Sequence, residues 1–325
     1  MILAAGYGTR LWPLTADRTK PAIPFLGKPL VGYVAEYLAS YGIHEIVVNL
    51  HHEPESVRDA LGDGSRFGVK LHYVEEPEIL GTSGALDNAR KFLEDETFIV
   101  VNGKIVTDIN LSEALETHKR TEALATLVLR PNPARERFSM VNTEGGFLKG
   151  FGGMPQPSES DNAPNGTPLM FTGIQILEPR IFDYIPRNVF SHSTTDVYPQ
   201  ALAKGERIAA HVAEGVWYEL STIQRYLDIS LAMMKREGRD VHLGHGSNIF
   251  DGASVSESIL WDDVKIEAGA HVRHAVIGDG VQILGEDVFE NVAIVRAELV
   301  ERAEPPAKAL RGVRRGDNFV VSLSQ

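Results

Sequence analysis

The sequence predicts an α/β fold with a Rossmann-like, mostly parallel sheet, followed by a short left-handed parallel β-helix. Three observations support this prediction. From the first residue onward, short apolar runs alternate with segments of helical periodicity, as in parallel α/β sheets. A glycine-rich loop follows the first run directly. Beyond about residue 240, apolar residues recur every six positions.

The α/β part is predicted from runs rich in β-branched and aliphatic residues that turn residues separate. These runs cover residues 1–5, 45–50, 71–76, 98–102, 125–129 and 171–177. Between the first two runs, Leu30, Val34 and Leu38 recur at helical spacing, and Gly42 stands where a glycine commonly ends a helix. The chain therefore begins with a strand, a helix and a second strand.

The organisation further along the chain is set by changes in composition and period. Residues 155–168 are rich in Pro, Ser and Asn, which is typical of a surface loop inside a domain. A helix is predicted over 222–237, and the period changes after it. We therefore predict three parts, a first domain over 1–239, a β-helix over 240–300 and a C-terminal tail over 301–325.

The β-helix is predicted from aliphatic residues that lie six positions apart. A coil with three faces, each of which turns one aliphatic side chain inward, has this period, with Gly and Asp at its corners. The inward positions are predicted at Ile249, Val255, Val264, Ile266, Ala270, Val272, Val276, Ile277, Ile283, Val288 and Ile294. The alternative is a few edge strands that pack on the first domain. As a β-helix, the region would form a homo-oligomer interface or an allosteric appendage, because a short solenoid must cover its unpaired edges.

Composition excludes several classes of protein. The 325 residues carry a formal net charge of -12 and no block of Lys and Arg, so most of the surface would repel nucleic acid. The absence of cysteine excludes disulfides and thiolate metal sites. No run of about 18 apolar residues occurs, so we expect no membrane segment and a cytoplasmic location. A small phosphorylated substrate stays possible, because a few cations and amides can bind it locally.

The loop after the first strand has the composition of a phosphate-binding turn. Its glycines, Gly6 and Gly8, let the backbone approach an anion, and Thr9 and Arg10 follow them. Leu11 replaces the third glycine of a dinucleotide-binding loop, and no Gly-Lys-Ser/Thr of a P-loop follows. The turn is therefore predicted to bind phosphate in a different context from either of those motifs.

This context is similar to the signature of the sugar-1-phosphate nucleotidyltransferases. The chain begins with MILAAGYGTRLWPLTADRTKPAIPFLGKPL, and the family has A-A-G-x-G-T-R-L, then K-P, then G-K-P-L. The resemblance continues in the family's order through residues 62–68, 80–85, 102–103, 172–174 and Trp217. It implies a nucleotide-diphospho-sugar transferase fold, a nucleoside triphosphate and a sugar 1-phosphate as substrates, and Mg²⁺ as cofactor.

The resemblance also implies roles for individual residues. In this family an oxygen of the sugar phosphate attacks the α-phosphorus in line and pyrophosphate leaves, so no protein nucleophile is needed. Catalysis then consists of positioning and charge neutralisation. Arg10 would hold the triphosphate and Lys20 would bridge the phosphates of both substrates. Further contacts to the nucleotide are implied at Ala5, Gly6, Gly8, Thr9, Gly81 and Thr82.

Base and sugar selection are carried by fewer residues. Glu76 stands where the family tends to place the side chain that reads the base, and a carboxylate suits the adjacent N1 and N2 donors of guanine. The neighbouring Glu75 and Glu78 leave its register open. Asn102 and Gly173 match positions near the sugar. Phe151 to Pro155 replaces the family's usual Glu-Lys-Pro, so GTP and mannose 1-phosphate are expected by resemblance to guanylyltransferases alone.

The metal site departs from the family pattern. Lys104 replaces the Asp that commonly follows the Asn-Gly turn, and Glu219, followed by Ser221, replaces the Asp of W-x-D-x-G. A protonated lysine cannot bind Mg²⁺, which prefers oxygen ligands, whereas Glu219 could. Two interpretations stay open. In one, the Lys104 ammonium substitutes for the cation and the enzyme turns over, with Asp108 as a further candidate ligand. In the other, the chain is a regulatory protein that binds nucleotide sugars.

Two other groups of residues indicate a different chemistry only weakly. The histidines near the repeats could suggest acyl transfer, but His242, His245, His271 and His274 follow no sustained ligand pattern. Residues 191–196 read SHSTTD and contain the Ser, His and Asp of a hydrolase triad. Residues that are adjacent in sequence do not by that fact have the geometry of a triad. We interpret this segment as a helix start with Thr195 or Asp196 as the N-cap, beside a loop that could border the sugar pocket.

Overall fold

The structure is a computed structural model that describes residues 1–136, 138–152, 167–302, 305–307 and 309–324. The chain divides into two compact units, neither of which is continuous in sequence. Unit 1 comprises Met1–Ala5, Val34–His51 and Gly62–Trp217. Unit 2 comprises Gly6–Tyr33, His52–Leu61 and Tyr218–Gln325. The predicted loop over 155–168 lies, except for its last two residues, outside the described residues.

The elements are numbered in chain order. The helices are α1 (Leu30–Ser40), α2 (Pro54–Leu61), α3 (Gly81–Asn88), α4 (Leu111–Thr121), α5 (Tyr198–Ala203), α6 (Ile223–Arg236) and α7 (Ala297–Glu301). The strands are β1 (Ile2–Leu3), β2 (Pro24–Phe25), β3 (Lys28–Pro29), β4 (Glu45–Leu50), β5 (Lys70–Glu75), β6 (Phe98–Asn102), β7 (Ile105–Thr107), β8 (Ala125–Pro131), β9 (Met140–Glu144), β10 (Phe147–Phe151), β11 (Leu169–Leu177), β12 (Ile208–Val212), β13 (Trp217–Glu219), β14 (Val241–Leu243), β15 (Asn248–Ile249), β16 (Ser254–Leu260), β17 (Lys265–Ile266), β18 (His271–Ile277), β19 (Gln282–Ile283), β20 (Val288–Arg296), β21 (Gly312–Arg315) and β22 (Asn318–Ser322).

Unit 1 is built on a mixed sheet with the strand order β5-β4-β1-β6-β11-β8-β12-β10-β9. Strands β5, β4, β1 and β6 are parallel, and so are β8 and β12. Strand β11 runs antiparallel to both of its neighbours, and β10 is antiparallel to β9 and β12. The prediction of a mostly parallel sheet therefore holds for one half only, because the antiparallel strands β9 and β10 were not predicted from the sequence.

The central strands of this sheet are buried along their length, which explains why they were the easiest to predict. Strands β4 and β6 have the predicted bounds, and all but one residue of each is buried. Helix α4 packs on β8, β11 and β12, and begins where the side chain of Asn110 accepts a hydrogen bond from the Ser112 amide at 3.1 Å. The first strand is shorter than predicted, because only Ile2 and Leu3 pair with neighbours.

The helix start predicted at Thr195 or Asp196 is wrong. A helical turn already begins at Ser193 and leads into α5, and His192 precedes it in an extended conformation. The Asp196 carboxylate accepts a hydrogen bond from the His192 amide, which precedes it in the chain, at 2.6 Å. Asp196 therefore stabilises the start of the helical segment, but from a position within the turn and not as its N-cap.

Unit 2 contains two rows of short parallel strands, here called the C-terminal ladder. One row is β14-β16-β18-β20, and the other is β15-β17-β19. Corresponding residues are 17 apart, as for Ala275 and Ser258. Glu257, His274 and Asn291 each have a positive φ of 48–54° and interrupt the long strands at the same point. Each of the long strands β16, β18 and β20 is therefore divided into two straight segments, and a short strand of the second row forms a third segment of the coil.

The inward positions predicted from the six-residue period are largely confirmed. Eight of the eleven are buried, and Ile249 and Val255 are partly buried. All of these except Val276 belong to one apolar core that includes Phe289. Val288 is the error, since it is 66% exposed and its neighbour Phe289 is 3% exposed instead. The cause is the coil length, because a step of 17 residues falls out of phase with three faces of about six.

The C-terminal segment extends the ladder. Strand β22 pairs antiparallel with β20 and with β21, so a hairpin covers the edge that β20 would otherwise present. Helix α6, predicted over 222–237, begins as expected, with the Thr222 hydroxyl accepting from the Arg225 amide at 3.2 Å. Across the part of the chain that the structure describes, no helix is long and apolar enough to cross a membrane.

Candidate functional site

The glycine loop of unit 2 is an exposed turn that requires glycine at its centre. Gly8 has a φ of +64°, and a Cβ atom there would lie 2.9 Å from the Cβ of Lys20. The Leu11 amide donates to the Gly8 carbonyl at 2.9 Å, which closes a short helical turn over Thr9–Leu11. Gly6, Thr9 and Arg10 are exposed. The turn therefore brings the predicted Gly8 against the predicted Lys20 and leaves the arginine in solvent.

Lys20 is buried and lies in an ion pair. Its Nζ is 3.5 Å from Oε1 of Glu219, with side-chain exposures of 8% and 10%. The preceding Thr19 is fully buried, and its amide donates to the Ser56 hydroxyl at 3.1 Å. Two residues predicted for different roles, phosphate binding and metal ligation, are therefore partners in unit 2.

In unit 1, Glu76 is held at the end of β5 by two hydrogen bonds. Its carboxylate accepts from the Asn49 side chain at 2.6 Å and from the Leu80 amide at 2.9 Å, and only 3% of the residue is exposed. Burial raises the pKa of this carboxyl. Asn49 in turn accepts from the Ala4 amide at 2.8 Å, beside the buried Ala5. Sequence reasoning missed Asn49, although a polar residue in the buried run EIVVNL was a signal.

Gly81 and Thr82 begin α3 where it meets the loop before α5. A Cβ atom at Gly81, whose φ is +75°, would lie 2.4 Å from the Ser191 carbonyl oxygen. The Thr82 hydroxyl accepts from the Ser193 amide at 2.8 Å, and the Ser83 amide donates to the Ser191 carbonyl at 3.1 Å. These contacts give both predicted residues a structural role in shaping the loop over 189–193.

Asn102 and Gly173, which were each predicted to lie near the sugar, are in contact with each other. Gly173 has a φ of +84°, and a Cβ atom there would lie 2.1 Å from Nδ2 of Asn102. The next contact along β11 is also specific, because the Trp217 indole N–H donates to the Thr172 carbonyl at 3.0 Å. The amide of Asn102 therefore occupies the space that any side chain at residue 173 would need.

The residues at the expected metal positions do not fit Mg²⁺. Lys104 follows β6 and is half-buried, and an ammonium group donates hydrogen bonds and cannot ligate a cation. Glu219 already neutralises Lys20. Asp108 is exposed, and its carboxylate accepts from the Val216 amide at 2.5 Å. Among the described residues, no three His, Asp or Glu side chains lie close enough together to hold a metal ion.

A mixed α/β sheet, a glycine turn against a buried lysine and an Asn-Gly contact on adjacent strands fit a nucleotide-dependent transferase. Residues 1–236 match the nucleotidyl transferase family. The chain is 30% identical over 307 residues to UTP–glucose-1-phosphate uridylyltransferase of Synechocystis sp., a match that covers 89% of this chain and 77% of the relative.

Two further comparisons agree. Mannose-1-phosphate guanylyltransferase of Mycobacterium tuberculosis is 28% identical, with 93% of this chain and 82% of the relative covered. The structure of HddC from Yersinia pseudotuberculosis superposes with a TM-score of 0.60 at 24% identity, over 71% of this chain and 97% of that one, and so shares the fold. The chain belongs to the nucleotidyl transferase family and is an enzyme of the sugar-1-phosphate nucleotidyltransferase type.

The Asn102 contact predicts the effect of replacing Gly173. Gly173→Ala adds a methyl group against Nδ2 of Asn102, so we expect it to lower the free energy of unfolding by about 2–4 kcal/mol. Gly205→Ala is the control, because Gly205 has a φ of +88° and nothing within 4 Å of the added Cβ. It should cost only about 1 kcal/mol, the backbone strain alone. Equal losses in denaturant unfolding would contradict the proposed clash.

Proposed function

We propose that this enzyme forms GDP-mannose and pyrophosphate from GTP and mannose 1-phosphate. Family membership supports the reaction type, and relatives named as mannose-1-phosphate guanylyltransferases support the substrates. The observation that carries the choice of guanine is the carboxylate of Glu76. Asn49 and Leu80 hold it in place through one hydrogen bond to each oxygen. A carboxylate has about four acceptor sites, so each oxygen can accept a further hydrogen bond from guanine N1 or N2.

The chemical step needs no covalent intermediate with the protein. A phosphate oxygen of mannose 1-phosphate forms a bond to the α-phosphorus of GTP, and the bond from that phosphorus to the bridging oxygen of pyrophosphate breaks. In this proposal, the backbone of residues 5–9 and the guanidinium of Arg10 bind the triphosphate. The ammonium of Lys20 neutralises charge on the phosphates, and Gly81 and Thr82 shape the nucleotide pocket. Asn102 and Gly173 bind the sugar phosphate. Neutralisation of phosphate charge by fixed cations is the main way in which a protein can accelerate such a reaction.

We propose that Lys104 supplies positive charge that the family obtains from Mg²⁺. A fixed ammonium cannot act as a Lewis acid, but it stabilises developing negative charge on a phosphate oxygen. This interpretation is favoured by the buried pair of Lys20 and Glu219, because it leaves Glu219 committed to a protein cation. The alternative function is a nucleotide-sugar-binding regulatory protein. The Lys20–Glu219 pair and the presence of Lys104 would favour this alternative if the positive charges of the protein do not suffice for turnover.

The substrate assignment predicts pyrophosphate release. Purified enzyme should release it fastest with GTP and mannose 1-phosphate, in a panel of GTP, UTP, dTTP, ATP and CTP against several sugar 1-phosphates. Glu76→Gln should shift the preference away from guanine, because it replaces one of the two acceptor oxygens with an NH2 group, which donates and cannot accept from N1 or N2. Faster release with UTP and glucose 1-phosphate would contradict the assignment and leave the reaction type intact. Tight binding of GDP-mannose without release in any pairing would support the regulatory function instead.

The role of Lys104 predicts a change in metal dependence. The wild-type enzyme should keep most of its rate in EDTA, whereas Lys104→Asp should lose about tenfold or more in EDTA and recover when Mg²⁺ is added. Lys119→Asp, at an exposed position on α4, makes the same change of charge and should alter neither rate. A wild-type rate that EDTA abolishes would show that Lys104 does not replace the metal.

We also propose the domain organisation and assembly. The C-terminal ladder is the left-handed β-helix over 240–300, between a catalytic domain over 1–239 and a tail over 301–325, and the enzyme works in the cytoplasm. Its interface with further copies is supported by exposed apolar side chains, namely Leu243, Phe250, Leu284, Val288 and Val313. Cell fractionation checks the location, and the enzyme should be found in the cytoplasmic fraction.

The assembly predicts a homo-oligomer. Light scattering at micromolar concentration should give a mass of at least two chains, and Val288→Asp should lower it toward that of one chain, because a charge would enter an apolar interface. Glu290→Asp, two positions along the same strand, is the control and should not alter the mass. A single-chain mass for the wild-type protein would refute the proposal.

A further inference from the structure

The segment that carries Lys20 is fixed at its start by a cation from its own sequence. Arg18 donates to both carboxylate oxygens of Asp17, at 2.8 and 3.0 Å, and to Oδ2 of Asp279 at 2.6 Å. Its guanidinium carbon lies 5.2 Å from the centre of the Trp261 ring. Asp279 and Trp261 belong to the C-terminal ladder, 261 and 243 residues along the chain, so the contact is not local in sequence.

The same segment is fixed at its other end by the same tryptophan. The indole N–H of Trp261 donates to the Tyr226 hydroxyl at 3.0 Å, and that hydroxyl donates to the Pro24 carbonyl at 2.7 Å. Trp261 is 3% exposed and Tyr226 is fully buried. Both ends of residues 18–24 are therefore held by groups that meet at one indole, and Lys20 lies between them.

The acceptor on the ladder is itself oriented. Oδ1 of Asp279 accepts from the Asp262 amide at 3.0 Å, which leaves Oδ2 for Arg18. A planar guanidinium can bind two carboxylates through separate N–H groups and stack on an indole at the same time, and a lysine ammonium cannot make this arrangement. The set of Arg18, Asp279 and Trp261 is named here the arginine clamp.

The proposed reaction makes no use of Arg18, since its guanidinium is occupied by Asp17 and Asp279. Arg18 lies two residues before Lys20, so its contacts can determine where Lys20 lies. The lysine is buried and paired with Glu219 at 3.5 Å, so a displacement of its backbone by about 1 Å would remove Nζ from the place where it neutralises phosphate. A clamp beside it limits that displacement.

We propose that Arg18 is a positioning residue for nucleotidyl transfer: through Asp279 and Trp261 of the C-terminal ladder, it fixes Lys20 in its working position. The proposal rests on the role proposed for Lys20. It makes the ladder part of the machinery of the transfer reaction, in addition to any part in assembly.

The first test compares Arg18→Gln, Asp279→Asn and the double variant of the full-length enzyme. Each single variant should lower kcat about tenfold to a hundredfold, since misplacement of a charge by about 1 Å costs that much. KM for either substrate should change less than threefold. Because both variants break one contact, the double variant should be no slower than the slower single one. Arg18→Lys should fall between Arg18→Gln and wild type.

The control separates positioning from general stabilisation of the ladder. Arg273 also links the ladder's coils, through Glu257 at 3.2 Å and Glu290 at 3.1 Å, and it makes no contact of this kind with residues 18–24 among the described residues. Arg273→Gln should leave kcat at the wild-type value. Thermal unfolding monitored by circular dichroism identifies variants that are folded at the assay temperature, and Asp279→Asn carries the test if Arg18→Gln is not.

A Lys20→Gln background decides whether Arg18 acts through the lysine. There, Arg18→Gln should cause less than a twofold further loss of the residual rate of pyrophosphate release. A full further loss would overturn the proposal, as would wild-type kcat in folded Arg18→Gln and Asp279→Asn. If wild type releases no pyrophosphate with any substrate, the proposed function fails and the proposal for Arg18 is overturned with it, whereas a wild-type enzyme that turns over while folded Arg18→Gln and Asp279→Asn keep its kcat overturns the proposal for Arg18 alone.

Discussion

The buried ion pair between Lys20 and Glu219 is the interaction on which the functional part of unit 2 depends. Two charges with side-chain exposures of 8% and 10% are tolerated inside a protein only when each compensates the other. Removal of one partner from a buried pair typically costs about 3–5 kcal/mol, because the other charge is left desolvated. The contacts of Thr19 with Ser56 and of Pro24 with Tyr226 hold the lysine segment in the place that the pair requires.

Under the proposed function, the pair is consistent with the replacement of both residues at the expected metal positions. A glutamate that balances a buried lysine has little negative charge left for a divalent cation, and Lys104 brings a second positive charge at the other expected ligand position. In the proposed reaction the protein neutralises charge on phosphates, and more than one arrangement of cations can provide this.

Much of the fold could be predicted because buried strands are continuous apolar runs, as in β4 and β6. Strand β7 has only three residues, too few to display a period, and was missed. Val288 was misassigned because the coil is one residue shorter than the period implied. Motif order singled out the glycine loop, Lys20, Asn102 and Gly173 as candidate site residues, and the structure places Gly8 against Lys20 and Gly173 against Asn102.

Other parts of the site lay beyond the reach of sequence patterns. Arg18 meets Asp279 across 261 residues, and no pattern in the sequence indicates that these two residues pair. The pairing of Glu219 with Lys20 also depends on tertiary structure, because a carboxylate after Trp-Tyr reads equally well as a metal ligand or as the partner of a cation. Asn49 was detectable in principle, since polar groups inside buried strands need hydrogen-bond partners.

The repeat of the C-terminal ladder restricts how this chain can change its length in evolution. The Asp279 carboxylate binds the Asp262 amide one coil earlier, and the Asp262 carboxylate binds the His245 amide one coil before that, at 2.8 Å. Insertion of one whole 17-residue coil before Asp279 would keep the apolar core in phase, yet Arg18 would keep a partner only if the new coil carried an aspartate at the matching position. Insertion of a coil beyond Asp279, toward the hairpin of β21 and β22, would leave the Arg18 contact unchanged. The contact with Arg18, near the start of the chain, therefore limits where whole coils can be inserted into the C-terminal ladder.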